Sequence, residues 1–270
     1  MRSLLFTAIC LLGCLTIVII ACQPDEPPTI PRTGSLTIAF DNVVGNQDLQ
    51  LGTGTYQNAA GEQFSVSLLN YFVSNIRLRQ ANGTEYIVPQ DSSYFLIREA
   101  EPASQTITLK DVPTGNYVSM SYVLGVDSLR STMDISRRTG VLAPAGGMNG
   151  GMYWDWNSGY IFFKLEGTSP QAPIDPTGAR RFQYHVGLFG GYDTRTLNNL
   201  RTVTVPFDAM QPSVREGQTT RIGIKADIQK VFGGTTPVRI AQNSTVMVSP
   251  FSATIATNYA GMFQYVPQIN

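Results

Sequence analysis

The sequence is organised around Gly146–Gly167, which reads GGMNGGMYWDWNSGYIFFKLEG and contains both tryptophans of the chain. A glycine-rich run leads into the tryptophans, and a strand-like aromatic segment follows them. In that segment the apolar residues Ile161, Phe163 and Leu165 alternate with Tyr160, Phe162 and Lys164, which is the period of a β-strand. Loops that carry large aromatic side chains are frequent functional sites, but tryptophans also plug the open ends of β-sheet cores. The stretch therefore predicts a β fold and leaves both roles open.

The remainder of the chain repeats this style. From Ser35 onward, short segments rich in Val, Ile, Thr, Tyr and Phe alternate with Gly, Asn, Asp and Pro. The predicted strands are Leu36–Phe40, Phe64–Leu69, Val73–Arg79, Glu85–Val88, Tyr94–Ile97, Thr106–Leu109, Tyr117–Leu124, Tyr160–Leu165, Arg181–Leu188, Arg201–Val205 and Arg221–Ile228. Many short strands separated by turn residues are typical of a sandwich or barrel.

Two segments depart from the strand pattern. Asp127–Arg138 lacks alternation and predicts a helix or an irregular excursion. Near the C-terminus, Ser249-Pro250 is a plausible helix start, and Phe251, Ile255, Tyr259 and Met262 fall on one helical face. We therefore predict a mostly β protein, a single antiparallel β-sandwich-like domain with a short helical excursion and a C-terminal helix.

The N-terminus has the features of a targeting segment. A positive start is followed by the apolar run Leu4–Ala21, which ends at Cys22 and is followed at once by prolines and acids. We interpret residues 1–21 as a bacterial lipoprotein signal peptide, residues 22–34 as a lipidated N-terminus with a proline-rich linker, and residues 35–270 as the β domain. The alternative is an uncleaved anchor helix, and either version holds the domain outside the cytoplasm.

The residues after the cysteine indicate a destination. In enteric-type sorting, an Asp directly after the lipidated cysteine retains a lipoprotein in the inner membrane, but this sequence has Gln23 at that position. The acidic pair Asp25-Glu26 resembles the export tag of Bacteroidota surface lipoproteins. We therefore predict a lipid anchor on Cys22 in the outer membrane or at the cell surface. Because Cys10 and Cys14 lie within the predicted signal peptide, the mature chain would keep no thiol for a disulfide or a metal site.

Composition and motifs exclude several classes of function. The chain has 19 basic and 19 acidic residues, so its zero net charge gives no reason to expect a nucleic acid partner. His185 is its only histidine, in the polar row of a predicted strand, where a surface or hydrogen-bonded role is most common. The sequence has no Gly-x-Ser-x-Gly elbow, phosphate-binding loop, calcium loop or Cys-x-x-Cys-His haem motif. We therefore predict that the protein is not an enzyme.

Several segments, in order and spacing, resemble the MbnP-like copper-binding family of bacterial periplasmic and surface proteins. They are Phe72–Leu78, Gly125–Ser128, Gly151–Phe162, Phe182–Gly187 and Asn258–Phe263. Together they cover nearly the whole chain from Leu36, and the tryptophan segment is the most specific of them.

The resemblance implies a mostly β domain that holds copper, in some members through histidines and an oxidised tryptophan. In those members a di-haem peroxidase-like partner converts the tryptophan to kynurenine. An intact indole is a poor metal ligand, whereas the aromatic amine of kynurenine can coordinate a soft ion such as Cu(I) beside an imidazole. In this sequence the candidate metal ligands are His185, Trp154, Trp156, Met148 and Met152. The alternative is a non-metal surface module that binds a glycan or a protein through Tyr153, Trp154 and Trp156.

Overall fold

A computed structural model gives the fold of residues 32–143, 151–154, 157–208 and 210–267. The predicted signal peptide, Cys22 and most of the linker lie outside these residues, as do Met148 and Trp156. The compact unit of the chain begins at Arg32. Among the described residues, no helix has the length and apolar character needed to cross a membrane.

The described part of the chain is mostly β-strand, as predicted. The strands are β1 (Thr33–Val44), β2 (Gln47–Asp48), β3 (Tyr56–Gln57), β4 (Gln63–Gln80), β5 (Glu85–Ile87), β6 (Tyr94–Arg98), β7 (Thr106–Pro113), β8 (Gly115–Leu124), β9 (Ile161–Thr168), β10 (Arg181–Gly187), β11 (Arg201–Pro206), β12 (Ser213–Val214), β13 (Thr219–Asp227), β14 (Thr245–Val246) and β15 (Phe263–Val266). The α-helices are α1 (Ser128–Ser131), α2 (Gln229–Phe232) and α3 (Ser252–Tyr259). Short 3-10 turns lie at Gln90–Ser92, Pro102–Gln105, Ile135–Arg137 and Gly140–Leu142.

The strands form two curled sheets. In the first, the order is β15-β13-β1-β2, and β7 also pairs with β1. In the second, the order is β11-β8-β4-β9-β10-β14, with β3, β5 and β6 along β4 and β12 on β8. The main core lies between them, so the predicted sandwich-like domain is confirmed. Most strand pairs are antiparallel, but β1 pairs with β13 and β10 pairs with β14 in parallel. The alternation of apolar and polar residues within a strand does not indicate the direction of its neighbours, so the sequence could not predict these two parallel pairs.

Strand β4 replaces the two strands predicted at Phe64–Leu69 and Val73–Arg79. Tyr71 and Phe72 are both fully buried, on opposite faces of the strand, so the alternation that marks a half-buried strand disappears there. The strand bends at Asn75, which has φ 52, and its register against β8 shifts between Ser74 and Arg77. The prediction of two strands was therefore wrong, because a strand buried on both faces lacks the polar positions on which it relied.

The C-terminal helix is present, but its predicted bounds need correction. Helix α3 starts at Ser252, beyond the expected Ser249-Pro250, which forms a turn whose Ser249 carbonyl accepts the Ser252 N–H at 3.0 Å. Met262 lies after the helix has ended and precedes β15, which the sequence analysis did not predict. The apolar spacing of Phe251, Ile255, Tyr259 and Met262 thus spans a turn, a helix and a loop.

A second apolar cluster lies on the outer face of the second sheet. Its members are buried and include Phe72, Leu96 and Phe162, whose chain neighbours Tyr71, Ile97 and Phe163 face the main core instead. The segment Asp127–Leu142, which contains α1 and extends the predicted excursion, covers this face with Leu142, and the segment before β9 adds Met152. We call this cluster the outer core. It fixes the aromatic segment before β9 to the sheet.

A carboxyl group at the edge of the sandwich titrates far from its ordinary range. Glu99 follows β6, and its Oε2 accepts hydrogen bonds from the side chains of Asn42 at 2.8 Å and Gln105 at 3.1 Å. Burial raises the pKa of Glu99 from 4.5 to about 7; the Asn42 hydrogen bond opposes this, and the charges of Asp48 and Asp41 add to it. The folded state therefore holds this proton more tightly than the unfolded chain, and the free energy of unfolding falls as pH rises from about 4.5 through about 7.

Glu99→Gln is accordingly expected to stabilise the protein at pH 8. A neutral amide keeps one oxygen for the Asn42 and Gln105 donors and removes the buried charge, which we expect to raise the free energy of unfolding by about 1 kcal/mol. At pH 3, well below the ordinary pKa of 4.5, Glu99 is protonated in both states, and the variant and the parent should unfold alike in urea. The exposed Glu101→Gln is the control; equal effects of the two substitutions at pH 8 would contradict the assignment.

Candidate functional site

The candidate site lies on the outer face of β9 and β10, beside the outer core. The two strands are antiparallel, and their register places His185 opposite Lys164 and Gln183 opposite Glu166. Phe163 and Leu165 of β9 belong to the main core, so Lys164 and Glu166 between and after them point outward. His185 therefore shares the outer face with both charged side chains.

His185 is held by a carboxylate. Its Nε2 lies 2.7 Å from Glu166 Oε1, and the residue is 8% exposed, so the histidine is hydrogen-bonded and buried. The hydrogen bond from His185 is the main reason that the pKa of Glu166 lies below its usual value. The positive charge of Lys164 lowers this pKa further, and burial opposes both effects. An ionised Glu166 requires Nε2 to donate, so a neutral imidazole keeps its lone pair on Nδ1.

Lys164 connects this pair to the segment that carries the tryptophan. Its Nζ lies 3.4 Å from Glu166 Oε1 and donates to the carbonyl oxygen of Gly151 at 3.1 Å. The Lys164 side chain is 14% exposed, so both contacts are shielded from water. The Lys164 contacts thereby hold the segment Gly151–Trp154 next to the polar side chains on the outer face of β9 and β10.

Trp154 lies on the same strand face as His185. Gly187 follows His185 by two positions in β10, and a Cβ built on it would lie 2.7 Å from Cζ3 of the Trp154 ring. The ring therefore covers Gly187, whose Cα is about 7 Å from that of His185 by strand geometry. Trp154 is half-buried, and its backbone N–H donates to the Gly159 carbonyl at 2.8 Å.

Backbone strain follows directly after Gly187. Leu188 has φ 74, an unfavourable value for a branched side chain, and is buried. Asn199 holds this kink, since its side-chain amide donates to the Gly187 carbonyl at 2.9 Å and its backbone N–H donates to the Leu188 carbonyl at 2.8 Å. Strained backbone of this kind persists where surrounding contacts over-determine it, often at functional sites.

The remaining candidate residues are placed differently. Met152 is fully buried in the outer core among apolar side chains. Tyr153 packs edge-on against Tyr160 with ring centroids 4.9 Å apart, and its hydroxyl lies 3.2 Å from an Arg138 nitrogen. Tyr153 and Trp154 are both partly buried and packed against the outer core, so neither is a freely exposed platform. Met148 and Trp156 lie outside the described residues.

The described residues of the unmodified chain do not make a copper site. They contain no group of three or more His, Cys, Asp or Glu side chains arranged to hold a metal ion. His185 supplies one imidazole, Trp154 supplies an intact indole that is a poor ligand, and the Met152 sulfur is packed in an apolar cluster. They do provide a histidine held by a carboxylate, and a tryptophan ring that covers Gly187 two positions further along the same strand. The tryptophan would become a metal ligand only after oxidation.

Three residues that shape this site cannot be identified from the sequence pattern alone. Lys164 and Glu166 were visible as polar positions of a strand, but their contact with His185 depends on the register of β9 against β10. Gly187 lies within the family segment Phe182–Gly187, but the sequence pattern gives it no role. The signal that could have found it is a glycine two positions after a histidine in an otherwise apolar strand, since a missing side chain there leaves room for a ring.

Comparisons with known proteins agree with this architecture. Residues 33–248 match the family model described as MbnP. Among solved structures, MbnP from Methylosinus trichosporium is similar, with a TM-score of 0.55 and 17% sequence identity over 81% of this chain and 82% of that chain. At 17% sequence identity, this structural similarity supports the fold but not a shared function. No curated protein matches the chain. Since the family match spans most of the sequence, the chain belongs to the MbnP family.

Proposed function

We propose that this chain is a lipid-anchored, extracytoplasmic copper-binding protein of the outer membrane or cell surface that is not itself an enzyme. Copper binding depends on prior oxidation of tryptophan, and Trp154 and His185 are the described residues that would hold the ion. The observation that carries the proposal is the shared strand face, where the Trp154 ring covers Gly187 two positions after His185. A bound copper ion would be the cargo of this site.

Tryptophan oxidation would supply the missing donor. Opening the indole adds two oxygen atoms across the C2–C3 bond, which breaks. With a peroxide as oxidant, two equivalents are reduced to water while the ring is oxidised to N-formylkynurenine. Hydrolysis then releases the formyl carbon as formate and leaves the aromatic amine of kynurenine. The oxidising partner would be a di-haem peroxidase-like protein, as the family resemblance implies.

The residues around the ring have separate parts in this proposal. Glu166 accepts the Nε2 proton of His185, which leaves Nδ1 with its lone pair for a soft cation. A carboxylate behind a histidine is the usual outer-shell arrangement of metal-binding imidazoles. Lys164 fastens the chain at Gly151, so the tryptophan segment keeps its place over β10 while the ring is oxidised. Met148 and Trp156 remain predicted ligands.

The test is intact mass and Cu(I) titration of the protein made with and without its peroxidase-like partner. With the partner, we expect the mass of one kynurenine and Cu(I) uptake in competition with a chromophoric chelator; without it, we expect neither. His185→Gln should keep the mass change and weaken copper binding at least tenfold, the loss of one strong ligand.

Two tryptophan variants locate the modified ring. Trp154→Phe should abolish the mass change and copper uptake if Trp154 is the oxidised residue, and Trp156→Phe serves as the matched variant. Equal Cu(I) uptake by the parent and by the Trp154→Phe, Trp156→Phe double variant, both made with the partner, would refute the proposal. Oxidation without copper uptake would refute the metal site and leave the surface interaction module as the better account.

Lipid attachment has its own test within the same chain. Cys22→Ser is expected to move the protein from the membrane fraction to the soluble fraction and to abolish labelling by radioactive palmitate, because the thioether to the lipid can no longer form. Cys10→Ser and Cys14→Ser are matched controls that should change neither readout. Persistent membrane association of Cys22→Ser would favour the uncleaved anchor helix instead.

A further inference from the structure

A second concave site lies on the excursion that covers the outer core. It is a pocket of about 470 Å³, in the size range of small-molecule sites. Its lining residues are Asp91, Tyr94, Arg130, Ser136, Arg137 and the segment from Thr139 to Leu142. The pocket is separate from the His185 face, and the copper proposal uses none of these residues.

Arg130 forms the charged floor of this pocket. It is 4% exposed, and its guanidinium lies over the Tyr94 ring at 4.8 Å from the ring centroid. One nitrogen donates to the Arg137 carbonyl at 3.0 Å, and another donates to the Asp91 carboxylate. The Nε is buried without an acceptor among the described residues. A buried guanidinium with an unused N–H is an incomplete anion site, because its donor fork matches both oxygens of a carboxylate.

The exposed Asp91 carboxylate accepts a hydrogen bond from one of the guanidinium nitrogens of Arg130. The Asp91 side chain is 74% exposed and comes from the 3-10 turn Gln90–Ser92, which has no buried residue. Asp91 therefore presents a carboxylate to Arg130 without being packed in place. A carboxylate that arrives from solution would meet the same nitrogens, and it would also meet the second positive charge of the exposed Arg137.

The other walls of the pocket define the rest of a ligand. Val141 is 41% exposed and its chain neighbour Leu142 is buried, and both contribute apolar surface to the pocket wall. Thr139 adds a neutral hydroxyl to the lining, whereas the Ser136 hydroxyl already donates to the Asp134 carboxylate. A ligand with a carboxyl head and a short apolar tail matches both the positive charge and the apolar side chains of this lining.

We propose that this pocket binds a small amphipathic carboxylate, with its carboxyl group on Arg130 in place of Asp91 and its apolar tail along Val141 and Leu142. Asp91 is then a built-in competitor that occupies the fork when the ligand is absent. The proposal is independent of copper binding and of tryptophan oxidation.

The test is an NMR titration of the isotope-labelled protein with hexanoate, with the neutral hexanamide as the ligand control. Hexanoate is expected to shift resonances around the pocket saturably in the millimolar range, and hexanamide should not saturate. Asp91→Asn should tighten hexanoate binding about fivefold, because the competing negative charge is gone while the amide oxygen can still accept from Arg130 in the absence of ligand. Asp208→Asn, another exposed aspartate, should leave the affinity unchanged.

Arg137→Gln provides a second variant that spares the core. Loss of its exposed charge should weaken hexanoate binding about threefold, and added salt should narrow that difference. Equal binding of hexanoate and hexanamide, or an affinity that falls in Asp91→Asn, would overturn the proposal. So would shifts confined to residues outside the pocket.

Discussion

Gly187→Ala is expected to lower the free energy of unfolding by about 3 kcal/mol and to displace the ring of Trp154. The added Cβ would lie 2.4 Å from the carbonyl oxygen of Tyr160 and 2.7 Å from Cζ3 of Trp154. Neither distance is tolerable, and the first involves a backbone atom directly before β9. To relieve the contact with the Tyr160 carbonyl oxygen, β9 and β10 would have to move apart. This movement would occur next to Leu188, whose strained backbone is held by Asn199.

The measurement combines urea unfolding with tryptophan fluorescence in a Trp156→Phe background, where Trp154 is the only tryptophan. A red shift of the emission would report the exposed ring. Gly261→Ala is the control, because a Cβ there has its nearest neighbour, the Asn258 carbonyl oxygen, at an ordinary 3.5 Å. A stable Gly187→Ala protein with unchanged emission would show that the ring does not rest on Gly187, and the shared face with His185 would lose its support.

The sequence alone predicts those strands that have one buried face and one face exposed to solvent. In β8 the sequence predicts one inward row of Val118, Met120, Tyr122 and Leu124. The last three are buried and alternate with less buried residues, but Val118 is only half-buried and Tyr117 is buried in its place, so the strand and most of its face are predicted correctly. The failure at β4 has the opposite cause, because the excursion buries Phe72 on the outer face while Tyr71 fills the main core. A second apolar layer outside the sheet is a property of the assembled chain, and local periodicity does not contain it.

The candidate site was predictable as a list of residues and not as an arrangement. His185 and Trp154 were chosen for their chemistry and for the family resemblance, and their placement on one strand face required the course of the chain from Gly151 to Gly187. Glu166 illustrates the limit most clearly. Its hydrogen bond to His185 arises from the β9–β10 register, and a shift by one residue would turn Glu166 into the main core.

Glu62→Gln is expected to lower the free energy of unfolding by about 3 kcal/mol. The residue is 7% exposed, and both carboxylate oxygens accept backbone N–H groups from a distant loop: Oε2 from Ile240 at 2.7 Å and Oε1 from Ala241 at 2.9 Å. The Asn58 side chain also donates to Oε2 at 2.7 Å. Whichever way an amide is turned, its NH₂ group must face one of these backbone donors, so a buried N–H loses its acceptor. The outcome is opposite to that expected for Glu99, where both donors converge on one oxygen.

The pH dependence separates this account from a general loss of packing. Burial acts to raise the pKa of Glu62, but the hydrogen bonds from Ala241, Asn58 and Ile240 outweigh it and hold the pKa below 4.5. Glu62 therefore contributes stability that is complete above about pH 4.5 and is lost as pH falls through its folded-state pKa. The difference between parent and Glu62→Gln in urea unfolding should accordingly be constant near neutral pH and shrink in acid. Glu216→Gln, which removes an exposed partner of Arg32, should change stability by less than about 0.5 kcal/mol at every pH. A Glu62→Gln effect that did not diminish in acid would mean that side-chain volume, and not the ionised carboxylate, holds the 240–241 loop to the β3–β4 hairpin.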